Sequence, residues 1–436
     1  MSSSKNYRSA FIIVTVLFFL WGFITVLVDS LIPRLKDVFE LSNFQAVLVQ
    51  FAFFGAFFIF SVPAGWLLSK IGYQKGIVLG LAVMAIGCVL FSPAASERIF
   101  TLFLLGYFIL AAGITILQVA ANPYVAVLGS EDGASSRLNL SQAFNSLGTA
   151  IAPIIGASFL LSDTIMSSEA ISKLSEEAQN EYYINEASAV SGPFLILAAS
   201  IAVLALVFIA IKLPKILEKS PKDGYIKLLS NKYVLMGVLG IFLYVGSEVA
   251  IGSFLVLYFM DMNLAEIISE NGILNSFASY IISKDISNVD AKAIVGAFVF
   301  LYWTGAMVGR FVGSYLTQLI KPAKVLSIFA SLAILMIIVS VSSIGVLSMF
   351  AILAVGLFNS IMFPTIFTLT LEGLGDLKPQ ASGLLCMAIV GGAIIPPLYG
   401  LLADNVGFKI AFILIIACYG YILFFGYKKQ KIKSLA

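Results

Sequence analysis

Twelve long apolar runs, following one another with short polar joins, leave this chain few ways to fold. They lie approximately at 9–31, 44–69, 76–95, 99–128, 138–162, 191–213, 233–260, 292–318, 323–343, 345–371, 380–402 and 407–427. A helix of roughly 20 residues crosses about 30 Å of hydrocarbon, and each run is long enough to do so. Lipid offers backbone N–H and C=O groups no partners, so only helices and closed β-barrels span a bilayer. Barrel strands would read as short alternating segments, which these continuous runs exclude. Hydrophobic residues make up 60% of the 436 and charged residues 11%, too apolar for a soluble globule or a disordered chain. The expected class is an all-α integral membrane protein with twelve transmembrane helices.

Charge placement orients the chain. In a twelve-span arrangement Lys5, Arg8, Lys70, Lys75, Arg137, Lys212, Lys215, Lys227, Arg310, Lys324, Lys378 and the tail Lys428–Lys433 fall on one side. Asp163, Glu169, Glu176, Glu177, Asp261, Glu266, Glu270, Asp285 and Asp290 fall on the other. The positive-inside rule then makes both termini cytoplasmic. The first run carries on into Asp29 and Pro33 with no small-residue cleavage site, which reads as a retained helix rather than a secretory signal. Cys88, Cys386 and Cys418 all sit inside apolar runs and offer neither a disulfide framework nor metal spacing. With no histidine in the sequence, any proton chemistry falls to carboxylates.

The polar stretch near 214–232 separates six runs from six, predicting an N-terminal bundle (1–213), a cytoplasmic linker (214–232) and a C-terminal bundle with its tail (233–436). Landmarks recur about 240 residues apart, as duplicated halves require. Asn122-Pro123 matches Phe363-Pro364, and the run from Pro153 to Gly156 matches that from Pro397 to Gly400. Two pseudo-symmetric six-helix bundles are therefore expected. The outer segments 163–190 and 261–291 exceed what a tight connection needs, and the second has the spacing of a short surface helix.

Polar residues inside the runs are the candidates for function. A charged side chain at membrane depth costs roughly 2.5–3.5 kcal/mol and usually faces a cavity. Asp29 and Glu248 are such groups. Asp29 has Arg34 and Lys36 near it in sequence, whereas Glu248 has no cation within a turn and needs a partner from another helix, a proton or a bound cation. Gln118, Asn122, Gln142, Asn145 and Asn359 supply amides, with Gln118/Asn122 and Gln142/Asn145 spaced to share helix faces. Converging amides and carboxylates suit a ring of hydroxyls, and Trp21 or Trp303 offers an aromatic face. The same amides can instead tie helices together, Asn122 beside Pro123 and Asn139 above all, and the tryptophans can simply pack.

The loop GWLLSKIGYQK at 65–75 resembles the loop signature of the major facilitator superfamily, with Gly65, Leu67, Lys70, Gly72 and Lys75 in place and Ser69 where an aspartate is usual. FFLWGF (18–23), QVAANPYV (118–125), RLNLSQAFNSLGT (137–149), YVGSEVAIGSF (244–254) and FPTIFTL (363–369) together resemble its fucose:proton symporter family along nearly the whole chain. Gln118 stands where the fucose permeases carry glutamate and Glu248 where they carry glutamine, an arrangement similar to the glucose/galactose or N-acetylglucosamine permeases. The resemblance implies the major facilitator fold, proton coupling at Asp29, and sugar contact at Gln142 and Asn145.

The expected function is secondary active import of a neutral hexose with a proton by alternating access, without enzymatic activity, metal or organic cofactor. Sodium as the coupling ion, or fucose or N-acetylglucosamine as the sugar, stays open, and multidrug efflux is a further alternative. Expected partners are the sugar and the lipid bilayer, with no nucleic acid and a monomeric state, and the expected location is a bacterial inner membrane.

Overall fold

The apolar runs fold as helices, in a computed structural model that describes residues 2–38, 43–160, 173–216 and 224–432. In chain order they are α1 (Ser2–Val38), α2 (Asn43–Ile71), α3 (Tyr73–Ser96), α4 (Phe100–Val127), α5 (Ala134–Leu160) and α6 (Glu176–Ala210). A short α7 (Gly224–Leu229) precedes α8 (Lys232–Asp261), α9 (Leu264–Glu270), α10 (Gly272–Ile282) and α11 (Ala291–Leu319). Then come α12 (Pro322–Ser342), α13 (Gly345–Asn359), α14 (Met362–Leu371), α15 (Lys378–Met387), α16 (Gly391–Val406) and α17 (Phe408–Ile432). Eleven stretches among the described residues are long and apolar enough to cross a membrane. With α5, whose 27 residues rise about 1.5 Å each, the architecture is twelve helical spans.

Where the helices exceed the apolar runs, capping chemistry explains it. The sixth span was expected from 191, but α6 starts at Glu176 and runs through most of the outer segment. Ser175 caps it by accepting from Ala178 N–H, and Glu176 and Glu177 in the first turn favour the positive helix end. In the second outer segment the short surface helix is in fact two, α9 and α10, divided at Asn271, whose Oδ1 accepts from Ile273 and Leu274 N–H.

The chain forms two compact units. The first comprises Met1–Gly129, Phe144–Ser230 and Gly373–Met387; the second comprises Ser130–Ala143, Asn231–Glu372 and Ala388–Ala436. Two short segments thus cross a division made by chain order alone. The start of α5 belongs to the second unit because its small polar residues bond there: Ser135 to Thr368 at 2.6 Å, Ser136 to Ser314 at 3.2 Å, and Asn139 Nδ2 to Thr365 Oγ1 at 3.2 Å. The α15 segment belongs to the first, where Gly383 lies against Gly65 closely enough that a side chain on either would meet backbone.

Prolines create the carbonyls that other helices use. Pro123 has no N–H for the Val119 carbonyl four residues back, and Ser382 Oγ donates to that oxygen at 2.8 Å. Pro364 does the same to the Ser360 carbonyl, and there the helix breaks: α13 stops at Asn359 and α14 resumes at Met362. Arg310 Nε donates to the freed Ser360 oxygen at 3.2 Å. The two prolines are the landmarks that recur between the chain's halves.

Candidate functional site

Glu248 finds its cation on another helix. Arg310 Nη2, from α11, lies 3.6 Å from Glu248 Oε1 on α8, with both side chains only 15% exposed. The arginine is aimed by the proline break, since its Nε is anchored to the Ser360 carbonyl that Pro364 leaves unpaired. One turn before Glu248, Tyr244 donates its hydroxyl to Oε1 at 2.6 Å. The carboxylate is thus held by a charge and a hydroxyl in a largely water-free setting. Removing one partner of such a pair strands a buried charge and costs about 3–5 kcal/mol, whereas losing both charges together costs far less. A proton on Glu248 would likewise end its claim on Arg310.

Asn359 closes the α13 end of the same group. Fully buried, it donates through Nδ2 to the Tyr302 hydroxyl at 2.7 Å and the Tyr419 hydroxyl at 3.1 Å. Both tyrosines lie within electrostatic reach of Glu248. Among the described residues Asn359 Oδ1 has no hydrogen-bond partner, and an unmet buried acceptor costs about 1–3 kcal/mol. Glu248, Arg310, Tyr244, Tyr302, Tyr419 and Asn359 form one polar cluster within the second unit. Of the expected site residues it brings together Glu248 and Asn359.

The expectation that Arg310 lies with the cytoplasmic cations is corrected: it is drawn into the helix body by Glu248 and Ser360. The clue was present, since position 310 falls eight residues before the end of the run at 318. Tyr244, four residues before Glu248, was also legible from helical spacing. Tyr302 and Tyr419 carried no local signal, because tyrosines are abundant here and only tertiary packing selects these two.

The other described candidates have surroundings of their own. In the first unit Gln118 is half-buried on α4, with no hydrogen bond from its side chain among the described residues. Asn122 is fully buried one turn on and bonds the Cys386 thiol, while Ser382 rather than Asn122 serves the carbonyl freed by Pro123. Asn145 Nδ2 donates to the Phe18 carbonyl of α1 at 2.9 Å, tying α5 to α1 where Gly22 and Gly148 let the backbones touch. Gln142 is buried on the part of α5 that belongs to the second unit. Trp21 is buried edge-on to Phe18, and Trp303 is 48% exposed and packs over Gly252. Asp29 lies on α1, but its side chain is outside the described residues.

A helix count of twelve and a buried acid–base pair fit several transporter families, and comparison with known proteins decides among them. The Major Facilitator Superfamily model matches residues 9–388. The chain belongs to that superfamily. Within it, the chain is 47% identical to a glucose/galactose transporter of Brucella abortus, over 98% of this chain and 95% of that one. It is 34% identical to the L-fucose-proton symporter of Escherichia coli, over 93% and 89% of the two chains. Among solved structures, the facilitator FucP in its outward conformation superposes with a TM-score of 0.87 at 33% identity, covering 97% of this chain and 99% of that one. This facilitator is thus a multi-pass membrane protein with the fold its loop and helix motifs implied.

Proposed function

We propose that the protein imports a neutral hexose, glucose or galactose, together with a proton, by alternating access. Near full-length similarity to a protein named as a glucose/galactose transporter supports the sugar class. The observation that carries the coupling is the Glu248–Arg310 pair: the place a metal cation would occupy beside the carboxylate already holds a guanidinium. A proton binds the carboxylate itself and ends its claim on Arg310, whereas sodium would have to sit beside that fixed positive charge. Asn359 Oδ1 offers an acceptor for a sugar hydroxyl, and Gln118 is a further candidate, with no hydrogen bond from its side chain among the described residues. Asp29 is a second candidate for the proton, and Asn122, Gln142 and Asn145 for contact with, or support of, the sugar site.

The reading includes no catalysis and no cofactor, a monomeric protein, a bacterial inner membrane and cytoplasmic termini. The test is uptake of labelled glucose, galactose and fucose into proteoliposomes under an imposed proton gradient without sodium. Concentrative uptake of glucose or galactose is expected. Accumulation that requires sodium, or that is confined to fucose, overturns the corresponding part.

A further inference from the structure

Outside the polar cluster, the first unit carries a cavity of about 570 Å³ where the end of α2, the start of α3 and the chain leaving α6 meet. Its size is that of an ordinary ligand site. Lys70, Lys75 and Lys215 line it, and no carboxylate does among the described residues. Asp376 is within electrostatic reach of Tyr73 but is not part of the lining. Lys70 lies 3.4 Å over the Trp66 ring, so its charge is held in place, and Lys75 and Lys215 make no ion pair or hydrogen bond among the described residues.

The walls are built rather than incidental. Gln74 Nε2 donates to the Phe208 and Ile211 carbonyls at 2.8 and 2.7 Å, serving the last turn of α6 that a helix leaves unpaired. Its Oε1 accepts from Leu213 N–H at 3.4 Å, and Tyr124 fixes the Pro214 carbonyl at 3.1 Å. Gly72, at φ 83°, makes a sharp corner that only glycine takes easily, and α3 begins there with no side-chain cap, adding N–H groups to the positive rim.

The other rim is apolar. Phe208 and Ile209 line the cavity beside Val78 and Ile216, and the adjoining face of α6 exposes Leu206 (63%) and Ile209 (61%). Three cations with no carboxylate counter-ion among the described residues, above an apolar helix face, match a phosphate carried on acyl chains. We propose that this cavity binds the phosphate headgroup of an anionic phospholipid, with Lys75 and Lys215 as its principal partners and the acyl chains along α6. Basic pockets at the cytoplasmic ends of membrane helices suit such headgroups, and the positive-inside orientation expected from the sequence places this one in that leaflet.

The test is reconstitution of the full chain in phosphatidylcholine bilayers with spin-labelled phosphatidylglycerol or spin-labelled phosphatidylcholine, reading the motionally restricted fraction. The wild type should prefer phosphatidylglycerol, and each lysine removed should weaken that preference about fivefold. Lys75→Gln with Lys215→Gln should bring the two lipids to parity, and Lys75→Arg with Lys215→Arg should keep the preference. No preference in the wild type, or one unchanged in the glutamine pair, overturns the proposal. Displacement of the lipid by millimolar glycerol phosphate or inorganic phosphate also overturns it, since the site would then serve a free anion.

Discussion

Arg310 is held from two sides, by the backbone that Pro364 exposes and by the carboxylate of Glu248, so its removal has two consequences. Replacing it with glutamine leaves Glu248 buried opposite Tyr244 alone, and the expected loss is about 3–5 kcal/mol. Thermal unfolding in detergent should show a marked fall for Arg310→Gln and a smaller one for Arg310→Gln with Glu248→Gln, and equal falls would argue against a functional ion pair. Asn359→Ala removes two hydrogen bonds to tyrosines and the free acceptor together. Sugar affinity measured by equilibrium binding should drop about tenfold, on the order of 1.4 kcal/mol, and an unchanged affinity would take Asn359 out of the sugar site. The need of Glu248 for an off-helix partner was readable in the sequence, because no cation lies within a turn of it. The identity of that partner was not, because nothing in the sequence says that Arg310, although inside a run, faces the helix that carries Glu248. Asn145 shows the opposite limit: an amide spaced for ligand contact donates an N–H to the Phe18 carbonyl, which no pattern on α5 reveals.

At the scale of helices, proline followed by a borrowed donor is the recurring device. Val119 and Ser360 are both carbonyls four residues before a proline, answered by Ser382 and Arg310 respectively. Ser382→Ala should cost about 1–3 kcal/mol by leaving the Val119 oxygen buried and unmet. Adding Pro123→Ala restores an N–H for that carbonyl, so the double variant should regain much of the lost melting temperature, and purely additive losses would sink this account. Span positions were legible to within a few residues because hydropathy and length dictate them: runs expected at 76–95, 99–128 and 323–343 are Tyr73–Ser96, Phe100–Val127 and Pro322–Ser342. The break after Asn359 and the short helical turn at Ala388–Val390 were not, since apolar composition continues through both. The close crossing of α5 and α1 rests on Gly22 and Gly148, whose contact only the packing reveals. A side chain at Gly148 meets the Phe19 carbonyl, so Gly148→Val should destabilise by about 1–3 kcal/mol.

For the whole molecule, the account links sugar movement to the charge on one buried carboxylate. Sugar and proton would each raise the affinity for the other, as any coupled pair must. One charge moved through 100 mV supplies roughly 2.3 kcal/mol, enough at about 1.4 kcal/mol per tenfold to sustain a gradient on the order of 40-fold. The twelve spans and the superfamily were accessible from the chain's hydropathy and loop motifs. Ser130–Ala143 and Gly373–Met387 group with their own units through hydrogen bonds and glycine contacts that hydropathy does not encode. The most direct measurement compares wild type and Glu248→Gln in proteoliposomes, reading sugar exchange at equal concentrations and uphill uptake driven by a proton gradient. The account predicts exchange within about threefold of wild type and loss of accumulation, since glutamine mimics the protonated acid and never releases a proton. Accumulation at the wild-type level in that variant would contradict it.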